Sequence, residues 1–263
     1  MRFLLVTDWL RRSGGMERYF ETLREGLRTA GHEARLLTST AGESAGGTAD
    51  YRAYGSNAPA AQAVLQLVNP FAVASVRAAV RDFRPEAAIV GMVEQHLSPA
   101  VLAPLAGVPT ILSLGDYKTI CPVHSKLLPS GEPCTVPAGL VCWTNGCTGL
   151  AHWLRDRPRY ALFRSAIARC DRVLACSEWL QRALAEAGIV AEAVPLPTPA
   201  VPPTYVREPS AQPSFLFVGR LSREKGVAGL LRAFARAHEA VPAAELRLAG
   251  DGEERAELER LAD

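Results

Sequence analysis

The first 38 residues constrain the fold most. Phe3-Leu4-Leu5-Val6 is a short unbroken apolar run, the pattern of a strand covered on both faces. After a Ser13-Gly14-Gly15 turn, the apolar residues Met16, Tyr19, Phe20, Leu23 and Leu27 return at helical spacing, so an amphipathic helix follows the strand. Gly31 suits a left-handed helix end, and Ala34 to Thr38 supplies the next strand. Two strands separated by a helical crossover pair in parallel, and one βαβ unit implies a sheet with helices on its faces.

The alternation continues. Asn69-Pro70 places a capping side chain before a proline at the first helical position, and the helix should stop at Arg84, ahead of Pro85. Ala87 to Val90 reads as a strand. Ser98-Pro99 repeats the helix-start signal, Gly107 ends that helix, and Thr110 to Leu114 is another strand. Residues 117–149 interrupt the rhythm with Pro122, Pro129, Pro133 and Pro137, several glycines and four of the six cysteines, which reads as an irregular insertion. A helix over 151–169, a strand over 172–175, a helix capped by Ser177 and closed by Gly188, and a strand near 191–194 restore the pattern.

These elements define a first domain over 1–194. Seven prolines between Pro195 and Pro213 describe an extended linker over 195–213. A second unit starts at 214, with a strand over 215–218, a loop, a helix carrying Val227, Leu230, Leu231 and Phe234, and a strand over 246–249. A last helix from Glu253 reaches Asp263 with no stop signal, so the second domain is expected to be incomplete in this 263-residue chain.

Composition narrows the partners. Lys+Arg at 29 against Asp+Glu at 27 leaves too little excess charge for a nucleic-acid footprint, so no nucleic-acid partner is expected. The longest uncharged stretch, Ala53 to Val76, is too polar to span a bilayer, and the amino end lacks the apolar run of a signal peptide. A cytosolic location is the expectation. Only Lys118, Lys126 and Lys225 are lysines; every other basic residue is arginine.

The loop Gly219-Arg220-Leu221-Ser222-Arg223-Glu224-Lys225-Gly226 leads from a strand into a helix. A guanidinium, an ammonium and the positive end of a helix dipole all attract an anion there, so phosphate binding is one reading and a solvated surface loop the other. The spacing is neither that of a P-loop nor of a Gly-x-Gly-x-x-Gly fingerprint.

Taken with Ser13-Gly14-Gly15-Met16-Glu17, Gly31-His32-Glu33, Arg84-Pro85-Glu86 and Gly250-Asp251-Gly252, this loop resembles the retaining glycosyltransferases of family four, which have the GT-B fold. The resemblance implies two Rossmann-like domains, an acceptor-side domain followed by a nucleotide-sugar-binding one. It implies transfer of a sugar from a nucleotide-diphosphate donor to a hydroxyl of a saccharide, lipid or small-molecule acceptor, with retention of configuration and no cofactor required. Arg220 and Lys225 would pair with the donor diphosphate, Gly14 and Gly15 would let backbone amides approach donor or acceptor, and Gly250 would lie near the nucleotide. His96 matches a histidine seen after the corresponding strand and Asp116 an aspartate, each with a structural alternative: a packed imidazole and a turn cap. The chain departs from the family in carrying Gly115 where a histidine is common, and it ends before the paired glutamates. A non-catalytic remnant or binding module is therefore the alternative function.

Cys121, Cys134, Cys142 and Cys147 are a candidate structural zinc set, against partly buried thiols or a disulfide. Only the last pair has ordinary ligand spacing. Cys170 and Cys176 read as small core residues. Arginines at 155, 157, 159, 164, 169, 172 and 182, with Trp153, Leu154 and Phe163 nearby, offer peripheral contact with an anionic inner-membrane surface, against an ordinary solvated helix face.

Overall fold

A computed structural model describes residues 1–10, 15–41, 48–91, 93–195 and 212–262. Two compact units divide the chain. One comprises Met1–Lys126 and Cys134–Ala200, the other Leu127–Pro133 and Val201–Asp263. The short piece Leu127–Pro133, which the sequence places inside the insertion, thus groups with the second unit. Most of the proline-rich linker lies outside the described residues.

The first unit holds, among the described residues, a seven-stranded parallel sheet: β1 (Arg2–Thr7), β2 (Glu33–Ser39), β3 (Tyr51–Ala53), β4 (Ala87–Gly91), β5 (Thr110–Leu114), β6 (Arg172–Ala175) and β7 (Glu192–Ala193), in the order β3-β2-β1-β4-β5-β6-β7. Successive side chains of β1 serve opposite faces. Leu4 and Val6 join a cluster with Val76, Phe83 and Phe163, whereas Leu5 packs with Leu36, Ile89, Tyr19 and Phe20. The second cluster is covered by α1 (Gly15–Thr29). The first is covered by α3 (Pro70–Phe83), a 3-10 helix over Pro99–Leu105, α5 (Leu150–Ile167) and α6 (Glu178–Glu186). Two covered faces are what an all-parallel sheet requires.

The capping signals work as read at two sites. Asn69 accepts the Ala72 amide at 2.9 Å, and Ser177 accepts that of Leu180 at 3.2 Å. Ser98 behaves differently. Its hydroxyl accepts the Asn69 amide at 3.0 Å instead of capping, and the segment that follows is 3-10, because Pro104 lies inside it and has no amide hydrogen to give. The three-residue edge strand β3 and the short helix α2 (Pro59–Leu65) are additions to the expected elements. The insertion is irregular apart from the single turn α4 (Val141–Thr144) and an isolated antiparallel bridge between Leu127 and Pro133. No single described helix is long and apolar enough to cross a membrane.

The second unit holds β8 (Ser214–Val218) and β9 (Glu245–Ala249), paired in parallel, with α7 (Val227–Ala240) and α8 (Arg255–Ala262). Leu221, Val227 and Leu258 form its small core. Phe215, Leu216 and Val218 of β8 remain exposed.

Candidate functional site

The order of the first sheet reverses between β1 and β4: the chain builds outward from β1 through β2 to β3, then returns to the other side of β1. In open parallel sheets, ligands bind outside the carboxyl ends of the strands at such a point. Asp8 follows β1, Glu94 and His96 follow β4, and Asp116, Lys118 and Thr119 follow β5. The topology gathers these residues at the switch point.

Asp8 is almost wholly buried, and its carboxylate accepts the amides of Gln95 at 2.7 Å, His96 at 3.0 Å and Leu97 at 2.7 Å. Burial pushes its carboxyl up to about 6, against the lowering effect of those amides and of nearby Lys118. Glu94 Oε1 accepts the Thr119 hydroxyl at 2.8 Å. Burial and then the neighbouring Asp116 push the Glu94 carboxyl up to about 7. Lys118 is held below its usual range, first by burial, with Glu94 and Asp8 opposing the shift. Three carboxyl groups and one ammonium therefore share a partly desolvated region where their charges are mutually dependent.

His96 reaches this region in a particular posture. Its side chain is fully buried, its ring stands edge-on to Trp9 with centroids 4.6 Å apart, and its carbonyl accepts the Asn69 amide group at 2.6 Å. In this form the imidazole is packed, not open to solvent. Asp116 is half-buried and accepts the Lys118 amide at 2.9 Å, a turn-capping bond that also brings it beside Glu94. Gly15 is the first residue of α1, while Gly14 lies outside the described residues. No motif or spacing in the sequence marks Asp8, Glu94 and Lys118 as a group. The signals available were an acidic residue directly after a strand, another two positions before His96, and one of only three lysines.

In the second unit, Arg220 and Lys225 are both exposed on the loop joining β8 to α7, with the Arg220 guanidinium 3.9 Å from the Glu224 carboxylate. Gly226 has φ +67 and lets a 3-10 turn over Arg223–Lys225 run directly into α7. Gly250 follows β9 where the chain passes the Gly219 carbonyl, and a Cβ at Gly250 would overlap that oxygen. The bare backbone at Gly250 is thus needed to bring the ends of β8 and β9 together beside the cationic loop.

The four insertion cysteines share one neighbourhood, since Cys121, Cys134 and Cys142 all bear electrostatically on Cys147, and burial pushes the Cys142 and Cys147 thiols up. All are free thiols. Among the described residues, however, no three His, Cys, Asp or Glu side chains are grouped as a metal ion would need. Of the residues read as a membrane face, Phe163 instead faces the core, whereas Leu154 is exposed.

A parallel α/β unit with its polar cluster at the switch point, followed by a strand–cationic loop–helix unit, defines a two-domain Rossmann-like protein of the GT-B class. The sequence pattern described as "Glycosyl transferase 4-like domain" matches residues 14–199, and that described as "Glycosyl transferases group 1" matches residues 206–263. The chain belongs to the glycosyltransferase 4-like family. No curated protein sequence matches it. Its fold is similar to sucrose-phosphate synthase from Thermosynechococcus elongatus (TM-score 0.62, 18% identity, 99% of this chain and 66% of that one). It is also similar to the apo form of the lipopolysaccharide outer core galactosyltransferase WaaB (0.56, 13%, 100% and 64%). The catalytic domain of starch synthase IV from Arabidopsis thaliana, solved bound to ADP and acarbose, gives 0.57 at 10% identity, with 98% and 70% covered. The chain spans a little under two thirds of the length of the first two.

Proposed function

We propose that the protein takes part in glycosyl transfer from a nucleotide-diphosphate-sugar to an acceptor hydroxyl, with retention of configuration. The bond from the anomeric carbon to the diphosphate breaks, the acceptor oxygen bonds to that carbon on the same face, and the hydroxyl proton leaves with the nucleoside diphosphate. The observation that carries this reading is the loop from Gly219 to Gly226, which presents Arg220 and Lys225 between a strand end and a helix start, next to the side-chain-free Gly250. A leaving diphosphate gains negative charge as its bond breaks, and cations fixed at that loop would stabilise it.

The acceptor falls to the first unit in this reading, at the switch point where Glu94, Asp116 and Lys118 meet, with Asp116 as its reacting-sugar or acceptor contact and the buried His96, packed on Trp9, behind them. A titratable cluster at strand ends suits hydroxyl recognition. The test is release of nucleoside diphosphate from a panel of UDP-, ADP- and GDP-sugars offered with saccharide, lipid and small-molecule acceptors. Turnover dependent on an acceptor supports transfer. Saturable nucleotide binding without turnover on any acceptor would leave the binding-module reading.

A further inference from the structure

A cavity of about 430 Å³ opens in the first unit between the insertion and α5. Thr119, Ile120 and Pro122 form one wall, residues 138–140 and Cys142 a second, and Trp153, Asp156, Arg157, Tyr160 and Arg164 of α5 the third. Its size is ordinary for a small-molecule site.

The polar groups around it are unequally engaged. The Thr119 hydroxyl is given to Glu94, the Trp153 indole N–H to the Gly139 carbonyl at 2.8 Å, and Asp156 is met by Arg155 at 3.0 Å and Arg159 at 3.8 Å. A sugar would need free donors and acceptors that these groups no longer offer. What remains is apolar wall, the Tyr160 hydroxyl, buried with no hydrogen-bond partner among the described residues, and two exposed guanidinium groups. Arg157 lies over the Trp153 ring at 5.0 Å, and Arg164 spends one nitrogen on the Ala187 carbonyl at 2.8 Å. Among the described residues Asp156 is the one carboxylate lining the cavity, and it is buried and paired, so the lining presents no exposed carboxylate to an incoming anion.

We propose that this cavity binds an amphiphile, its hydrocarbon part lying among Ile120, Pro122, Leu140 and Trp153 and its anionic head at Arg157 and Arg164. A phosphate or carboxylate head suits a guanidinium fork, and the hydrocarbon part removes apolar wall from water. The site is distinct from the loop assigned to the donor, and the proposal does not depend on glycosyl transfer taking place.

The probe is n-octyl phosphate below its micelle concentration, titrated calorimetrically into the protein without any donor, with n-octyl glucoside as the uncharged comparison. One saturable site is expected, with the glucoside at least tenfold weaker. Arg157→Ala, which removes one cation, and Ala138→Trp, which fills the cavity from an exposed wall position, should each weaken octyl phosphate at least fivefold at unchanged melting temperature. Sedimentation with phosphatidylglycerol vesicles then separates the sources: retention lost in both variants means that the ligand is taken from a bilayer, and octyl phosphate binding without retention means a soluble amphiphile. Absence of saturable binding, equal affinity for the glucoside, or binding indifferent to both variants would overturn the proposal.

Discussion

Asp8 Oδ1 accepts the backbone N–H of His96 at 3.0 Å, tying the end of β1 to the loop after β4 across 88 residues of sequence. The same carboxylate also takes the amides of Gln95 and Leu97, so one side chain fixes the backbone at the point where the strand order reverses. Asp8→Asn turns an amide donor toward at least one of these N–H groups. A buried donor left unmatched costs about 1–3 kcal/mol, and chemical denaturation should show a loss of that size. A stability unchanged within 0.5 kcal/mol, roughly the scatter of ordinary surface substitutions, would contradict this role.

Stability should fall as the solution becomes alkaline. Asp8 and Glu94 have folded-state values raised from 3.8 to about 6 and from 4.5 to about 7. The folded protein therefore holds protons that the unfolded chain has released. Their contribution is full below the unfolded values and is lost as pH rises through 6 and 7. Between pH 5 and pH 8 the loss is on the order of 4 kcal/mol, from the rule that one pKa unit corresponds to about 1.4 kcal/mol. Glu94→Gln keeps an acceptor for the Thr119 hydroxyl and removes one titration, so its melting temperature should fall less over that interval than the parent's. Equal falls in parent and variant would remove Glu94 from the account.

Gly250→Ala should disrupt the second unit locally, because the new methyl would overlap the Gly219 carbonyl oxygen and the backbone would have to give way. Hydrogen exchange should accelerate at the Gly219 amide, which donates to the Ala249 carbonyl at 3.0 Å, while the amides of β1 and β4 keep their protection. Unchanged protection at Gly219 would mean that the two strand ends do not meet as described.

The six cysteines are free thiols, so Ellman's reagent in denaturant without prior reduction should count six per chain. Metal analysis of protein purified without chelator decides the zinc expectation separately. One zinc per chain would require the insertion to draw Cys121, Cys134, Cys142 and Cys147 closer together than they stand here.

Much of this architecture was legible in the chain. Short apolar runs marked β1, β4, β5 and β6, and local chemistry marked their connections: Asn69 and Ser177 cap as their types suggest, and Gly31, Gly107 and Gly188 all have positive φ. Such signals act within a few residues, where sequence spacing and spatial distance agree. The 3-10 segment differs from the expected helix because the start signal at Ser98 resembles that at Asn69, while the deciding residue, Pro104, lies further on. The polar cluster was only half legible. Asp8, Glu94 and Lys118 meet because β4 lies beside β1 and not beside β3, and no local pattern announces that choice of neighbour.

Calorimetric titration of UDP, ADP and GDP into the parent protein and three variants of the Gly219–Gly226 loop reads donor binding at that loop directly. Lys225→Ala should weaken the preferred diphosphate roughly 10- to 150-fold, the equivalent of about 1.5–3 kcal/mol for a hydrogen bond to a charged group. Arg220→Lys should weaken it as well, since an ammonium cannot reproduce a forked guanidinium contact. Arg223→Ala, a change of surface charge on the same turn, should alter affinity less than about threefold. Binding of one diphosphate with that ranking is the predicted result. No binding of any diphosphate, or equal damage from Arg223→Ala and Lys225→Ala, would contradict the assignment of this loop as the donor site.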